Sequence, residues 1–465
     1  GDRIVEAVRG GQTNYPPSNG IPQLRAAIRD YAARTWGVSY PLDGILVASG
    51  ARPTIYATYV SVVEPGDEVV YPVPSWNNSH YVYLAKGTGV PLATTPEHQF
   101  MPTMDDLRPH LASARLICLN TPSNPTGTVM DPGMVVEVAN AVVAENRRRD
   151  RDGERPLYLM LDAVYASLTY GDATFVHPVR EVPEAAPWVL TVDGVSKAYA
   201  GTGLRVGWIL GPPVIVKKIN AFLGHVGAWA PRPEQCGAAA FLDAPDEVAE
   251  FGVAMRKRAL DRLQTLYDGF EAMRAEGLPV RCIEPQGAIY LSLQLDWIGR
   301  SLDGETIRDN ETIRRLLLDE ADMGVVPFQA FGLGGETGWF RISVGAVSMD
   351  DVRNLLPRLR SLMTRLACGG ESRGPPEGRG GARGRRGDAI LVLRRGERTP
   401  GCAPRPVRVG RPGRGGRRRG DRFGHRPVRV GLDGARRDVP ARSRTAPSVR
   451  PGRVRRERGG ARHGH

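Results

Sequence analysis

The stretch "VLTVDGVSKAYAGTGLRVGWILG", residues 189–211, decides how this chain folds. "VLTV" and "VGWILG" are short uncharged runs rich in β-branched and other apolar residues, and they read as two buried strands. Between them the chain turns small, polar and glycine-dotted. Lys197 stands there beside Ser196, and Arg205 follows before the second strand. A polar loop leaving a buried strand lies at the carboxyl edge of a sheet, where open α/β sheets bind ligands.

Outward from this stretch the pattern repeats. "ILVAS", "EVVYPV", "RLICLN", "LYLMLD", "WVLTV" and "RVGWIL" read as strands, with "RPTIYATYVSVV" and "GMVVEVANAVVAENRRR" as helices between them. Such alternation predicts an α/β fold: a large domain with a mostly parallel sheet flanked by helices. Residues 245–274 then read as a long amphipathic helix. "VRCIE", "AIYLSL", a helix over 311–323, "WFRISVG" and a last helix opened by the capping box "SMDD" predict a smaller α+β C-terminal domain.

Charge divides the chain sharply. Residues 368–465 hold 28 Arg, no Lys and eight acidic residues, a net of +20, so residues 1–367 carry −7 of the overall +13. The body is therefore mildly acidic, and a nucleic-acid partner would rest on the tail alone. That tail lacks Lys, Asn, Gln, Tyr, Trp and Met. Its composition predicts disorder and fits the frameshifted end of a high-GC gene. The five cysteines have no metal-ligand or CxxC spacing, so no metal is expected and free thiols are. No leader opens the chain and no uncharged apolar run reaches membrane-spanning length, which predicts a soluble cytoplasmic protein without membrane partners.

Single residues carry little: a loop lysine is usually solvated, a strand-end Asp is often a helix cap, and a strand Arg is often a structural ion pair. Their order carries more. Asn124 follows one strand, Asp162 and Tyr165 the next, then come Lys197, Arg205 and finally Arg341. Pyridoxal 5′-phosphate needs this set of groups. Its aldehyde needs an amine for a Schiff base (Lys197), and its ring nitrogen needs a buried carboxylate to stay protonated (Asp162). Its phenolic oxygen needs hydrogen-bond donors (Tyr165, Asn124). Its phosphate needs charge and backbone N–H groups, which Arg205, Ser196 and a helix opening at Gly50, Ala51 and Arg52 in "ASGAR" supply. Trp76 in "YPVPSW" can cover the ring. Arg341 can grip a substrate carboxylate with two parallel bonds, with Asn124 and Trp76 beside it.

With "DGVSKAYAGTGLRVG", "NTPSNPTG", "DAVY", "PQGAIY" and "RIS" in place, the chain resembles the class I/II aminotransferases of the fold-type I pyridoxal phosphate enzymes, over residues 13–366. The likeness is strongest to the bacterial aspartate aminotransferase-like branch. It implies transfer of an amino group between an L-amino acid and a 2-oxo acid. It also implies a homodimer with shared active sites, in which Tyr15 of "TNYPPSNG" reaches the partner's cofactor phosphate. The implied organisation is a remnant of an N-terminal segment and dimer-contact region at 1–40, a large cofactor-binding domain at 41–244, a small domain at 245–367 and the tail at 368–465.

The chain departs from a common family pattern at Gly194, where many relatives carry a phosphate-binding Ser but the most similar branch also has glycine, and at Leu204, where a bulky aromatic is frequent and the change reads as neutral. The family's N-terminal arm has no counterpart before Gly1, so weak substrate binding and poor turnover are expected. Fold kinship leaves open a lyase or an amino-acid oxidase on the same scaffold, or a non-catalytic member. Substrate choice stays open as well. Arg232 could serve a second carboxylate or contact only solvent or phosphate, while Trp229, Phe328 and Phe331 would suit an apolar side chain.

Overall fold

A computed structural model describes residues 1–367. The readings made for the tail at 368–465 lie outside the described residues. Seven strands form the main sheet: β1 (Ile45–Ala48), β2 (Glu68–Val73), β3 (Thr88–Ala93), β4 (Ala114–Asn120), β5 (Tyr158–Asp162), β6 (Val189–Gly194) and β7 (Gly207–Leu210). Their spatial order is β1-β7-β6-β5-β4-β2-β3. The run from β6 to β3 is parallel, and β7 lies antiparallel between β6 and β1.

Side chains alternate across a strand, and here the alternation sorts residues between two separate cores. Val47, Ile117, Leu119, Leu159, Leu161 and Trp208 enter one. Leu46, Leu116, Cys118, Met160, Val192 and Ile209 enter the other. Both faces are covered, which is why these strands read as nearly unbroken apolar runs. Helices Pro22–Trp36 and Pro132–Asp152 supply the first core, and Ala51–Val62 and Pro213–His225 the second.

The one strand of this sheet absent from the sequence reading is β3. It is an edge strand of sequence TGVPLA, with one buried residue in six and a proline inside. An edge strand faces little core, so it lacks the apolar signature, and its free side tolerates Pro91.

A third apolar core gathers residues from the long helix Pro245–Ala275, helices Asn310–Ala321 and Met349–Thr364, and a four-stranded antiparallel sheet. That sheet includes Val280–Cys282, Tyr290–Leu295 and Trp339–Ser343. Ser348 caps the last helix in the expected capping box, its hydroxyl accepting from the Asp351 N–H while the Asp351 carboxylate accepts from the Ser348 N–H. No helix among the described residues is long and apolar enough to cross a membrane, and none of their His, Cys, Asp and Glu side chains form a group that could hold a metal ion.

Candidate active site

Strand register assembles the site. Asp162 ends β5 between its register partners, Asn120 at the end of β4 and Val192 near the end of β6. The Asn120 side chain locks the edge, its amide donating to the Asp162 carbonyl at 2.8 Å and its Oδ1 accepting from the Asn124 N–H at 2.7 Å. Asn120 belongs to "NTPSNPTG" but was not singled out from sequence, because its role is to brace two neighbours.

Glycines bring the phosphate-side elements together. A Cβ on Gly194 would stand 2.8 Å from the Gly207 Cα, and one on Gly207 would collide with the backbone of Gly50 and Ala51. Close approach of three backbones at this edge requires residues without side chains. Gly194 thus has a packing reason where relatives use serine. Gly50, at φ +96°, turns the chain into helix Ala51–Val62, whose first turn has no side-chain cap. A Cβ there would strike the Arg205 guanidinium, which is held by the carbonyls of Thr202 and Ser49 at 2.9 Å each. A cation and uncapped helix N–H groups therefore share one corner, which suits an anion.

Lys197 is half-buried beside the half-buried Ser196 in the loop between β6 and β7. Burial lowers its pKa, and the positive charges of Arg341, Arg52 and Arg205 lower it further against the opposing pull of Asp162. Asp162 is enclosed by protein on most sides yet keeps some open surface. Desolvation raises its pKa to about 6, against a 3.3 Å bond from the Val164 N–H and the attraction of Lys197.

Arg341, 9% exposed, donates from Nη1 to Asn124 Oδ1 at 3.0 Å. Its guanidinium carbon lies 4.9 Å from the Tyr290 ring centroid, 4.8 Å from Phe331 and 5.8 Å from Trp76. Trp76 also lies 5.7 Å from the Arg52 guanidinium. Tyr165 is buried, its hydroxyl 2.6 Å from that of Tyr290. Sequence reasoning quoted "PQGAIY" without nominating Tyr290, since a tyrosine at a strand start carries no chemical signal until its neighbours are known.

Tyr15 stands apart from this group. Its ring is 82% exposed and meets the edge of Trp229 at 5.1 Å. Arg232 opens the helix Arg232–Leu242. Phe328 packs against Phe100 and Trp339, and Phe331 lies against Arg341.

The donor set fits pyridoxal phosphate. The charges of Arg341, Arg52 and Arg205 act on Lys197 alongside that of Asp162, and a phosphate and a substrate carboxylate would find cationic partners among these arginines.

The family model described as aminotransferase class I and II matches residues 3–359. An aspartate aminotransferase of Streptomyces avermitilis is 30% identical over 371 residues, covering 78% of this chain and 86% of that protein. The crystal structure of the aspartate aminotransferase from Rhizobium meliloti superposes with a TM-score of 0.71 at 28% identity, covering 79% of this chain and 88% of that one. The aromatic aminotransferase from Pyrococcus horikoshii superposes at 0.70 with 26% identity, covering 78% and 91%. The chain belongs to the class I and II aminotransferases and is an enzyme of that family, moving amino groups between amino acids and 2-oxo acids with pyridoxal 5′-phosphate.

Proposed function

We propose that the amino acid exchanged is a dicarboxylic one and that the residues assembled above carry the reaction. The observation behind the substrate reading is the pair of guanidinium groups on one indole, Arg341 at 5.8 Å and Arg52 at 5.7 Å from the Trp76 ring. Arg341 takes the α-carboxylate through its planar fork, and Arg52 takes the side-chain carboxylate. The Streptomyces and Rhizobium relatives are named as aspartate aminotransferases, which supports this choice. A second reading, an aromatic substrate, is favoured by Phe331 and Tyr290 against Arg341.

Pyridoxal phosphate, when bound, supplies an aldehyde and a ring that accepts electrons from the substrate's Cα. Arg205 and the first-turn N–H groups of the helix at Ala51 and Arg52 would hold its phosphate, with Ser196 beside them. Asp162 would serve its ring nitrogen, Tyr165 and Asn124 its ring oxygen, and Trp76 its ring face. Burial and neighbouring cations lower the Lys197 pKa, which favours the unprotonated form of Nζ. That atom would take the proton from the substrate Cα as general base and hold it for return as general acid. Arg341 and Asn124 orient the substrate so that this proton points at Nζ.

The reading extends to a homodimer in which Tyr15 completes the partner's phosphate site, supported by the solvent-facing ring of Tyr15. Separate cores support a large domain and a small one at 245–367, but helix Pro22–Trp36 packs into the large domain's core, which therefore starts before residue 41. Unpaired thiols at Cys118, Cys236 and Cys282 support a cytoplasmic setting.

The test is Arg52→Ala with aspartate and phenylalanine as alternative donors. Losing one charged hydrogen-bonding partner should cut kcat/KM for aspartate by about 10–100-fold and leave phenylalanine nearly unchanged. Equal losses on both donors, or a parent enzyme preferring phenylalanine, would favour the aromatic reading.

A further inference from the structure

Tyr165 and Arg341 come from distant parts of the chain, and one side chain touches both. Tyr290 begins the strand Tyr290–Leu295 and pairs with Ser343 on the strand that carries Arg341. Its hydroxyl lies 2.6 Å from the Tyr165 hydroxyl, and its ring stands edge-on to the Tyr165 ring at 5.5 Å. The same ring is 4.9 Å from the Arg341 guanidinium carbon. Tyr290 is 5% exposed, and its carbonyl packs so closely on Gly127 that a Cβ there would collide with it. Its backbone is therefore fixed against the "NTPSNPTG" turn.

A phenol hydroxyl has one proton and two lone pairs. If Tyr165 donated to Tyr290, its only proton would be spent inside the protein. If Tyr290 donates to Tyr165, the Tyr165 proton stays available to a third group. Asp162 and Arg341 are the charged groups that face the pair. Arg341 lies against the Tyr290 ring, and a cation there makes that phenol the stronger donor. Negative charge on Asp162, close to Tyr165, makes the Tyr165 oxygen the stronger acceptor.

We infer that Tyr290 is a positioning residue. It donates its hydroxyl proton to the Tyr165 oxygen, which fixes Tyr165 as a donor toward the cofactor's ring oxygen, and its ring seats the Arg341 guanidinium. The inference rests on Tyr165 being that donor. One residue of the substrate-carboxylate sheet thereby sets the polarity of a hydrogen bond on the cofactor side.

The experiment is a pH titration of the visible absorbance of the bound cofactor in the reconstituted enzyme. A donor to the ring oxygen favours its unprotonated form, so Tyr165→Phe should raise the titration midpoint by about one unit or more. Tyr290→Phe, which keeps the ring, should raise it by about half a unit, and the double variant should match Tyr165→Phe alone. Tyr290→Phe should also leave KM for the amino acid within about twofold, whereas Tyr290→Leu, lacking the aromatic face, should raise it about tenfold. A moved midpoint in Tyr165→Phe with an unmoved one in Tyr290→Phe overturns the role of Tyr290. An additive shift in the double variant overturns the proposed relay, because Tyr290 would then act on the cofactor by another path. An unmoved midpoint in Tyr165→Phe overturns the Tyr165 assignment itself.

Discussion

Asp162 is a carboxyl whose surroundings oppose its own charge, and the opposition is measurable. Burial raises its folded pKa to about 6, above the roughly 3.9 of an unfolded aspartate. Between those values the folded protein keeps a proton that the unfolded chain has released. Its stabilising contribution is therefore complete below about pH 4 and lost as pH rises through 6. The span amounts to at most about 3 kcal/mol, less for a group that keeps an open side. Buried Asp193 acts in the same direction. His177, whose pKa burial lowers to about 3, acts in the opposite one: its contribution is present above about pH 6.5 and lost as pH falls. Comparing Asp162→Asn with the parent cancels both. Urea unfolding without cofactor should show the parent losing about 1–3 kcal/mol relative to the variant between pH 4 and 7. Parallel curves would mean that Asp162 is already charged throughout this range. The raised pKa has a use in the proposed site, since a buried carboxyl ionises readily against a protonated ring nitrogen.

At the scale of elements, the strand ends were legible because each carries an apolar run followed by polar or glycine-rich residues. Lys197, Asp162 and Asn124 could be placed at one edge for that reason, and the register puts Asn120, Asp162 and Val192 side by side. What the residue pattern did not reveal depends on contacts between elements far apart in the chain. Tyr290 meets Tyr165 across 125 positions. The glycine at 194, expected from the most similar branch, finds its physical reason only in the Gly207 backbone packed against it. Edge strand β3 lacked any apolar pattern for a related reason: a strand that packs against little imposes little on its sequence. The glycine contact makes a direct prediction. Gly194→Ser restores the residue many relatives carry, yet its Cβ would sit 2.8 Å from the Gly207 Cα and 2.9 Å from the Val206 carbonyl oxygen. Overpacking against backbone costs about 1–3 kcal/mol, so the variant should melt several degrees lower and bind pyridoxal phosphate more weakly. An unchanged melting temperature with tighter cofactor binding would mean that β6 and β7 separate easily enough to admit the hydroxyl.

On the scale of the whole molecule, the question is whether one chain makes a complete site. Lys197, Asp162, Tyr165, Arg205 and Arg341 are drawn together within the chain, but Tyr15 turns an 82% exposed ring to solvent beside Trp229. An aromatic residue left so open against a second aromatic, Trp229, suits a surface that a partner covers. In the proposed dimer each Tyr15 serves the other subunit's site, and two-fold symmetry makes that exchange reciprocal. Complementation distinguishes this arrangement from a self-sufficient chain. Lys197→Ala lacks the amine, and Tyr15→Ala lacks the group donated across the interface. A mixed dimer of the two holds one site with both defects and one with neither. Unfolding and refolding the two variants together at equal concentration should therefore restore about a quarter of the intact sites. The readout is the rate of amino-group transfer, compared with each variant refolded alone. If the mixture gives only the mean of the two separate rates, Tyr15 and Lys197 serve the same chain and the site is not shared.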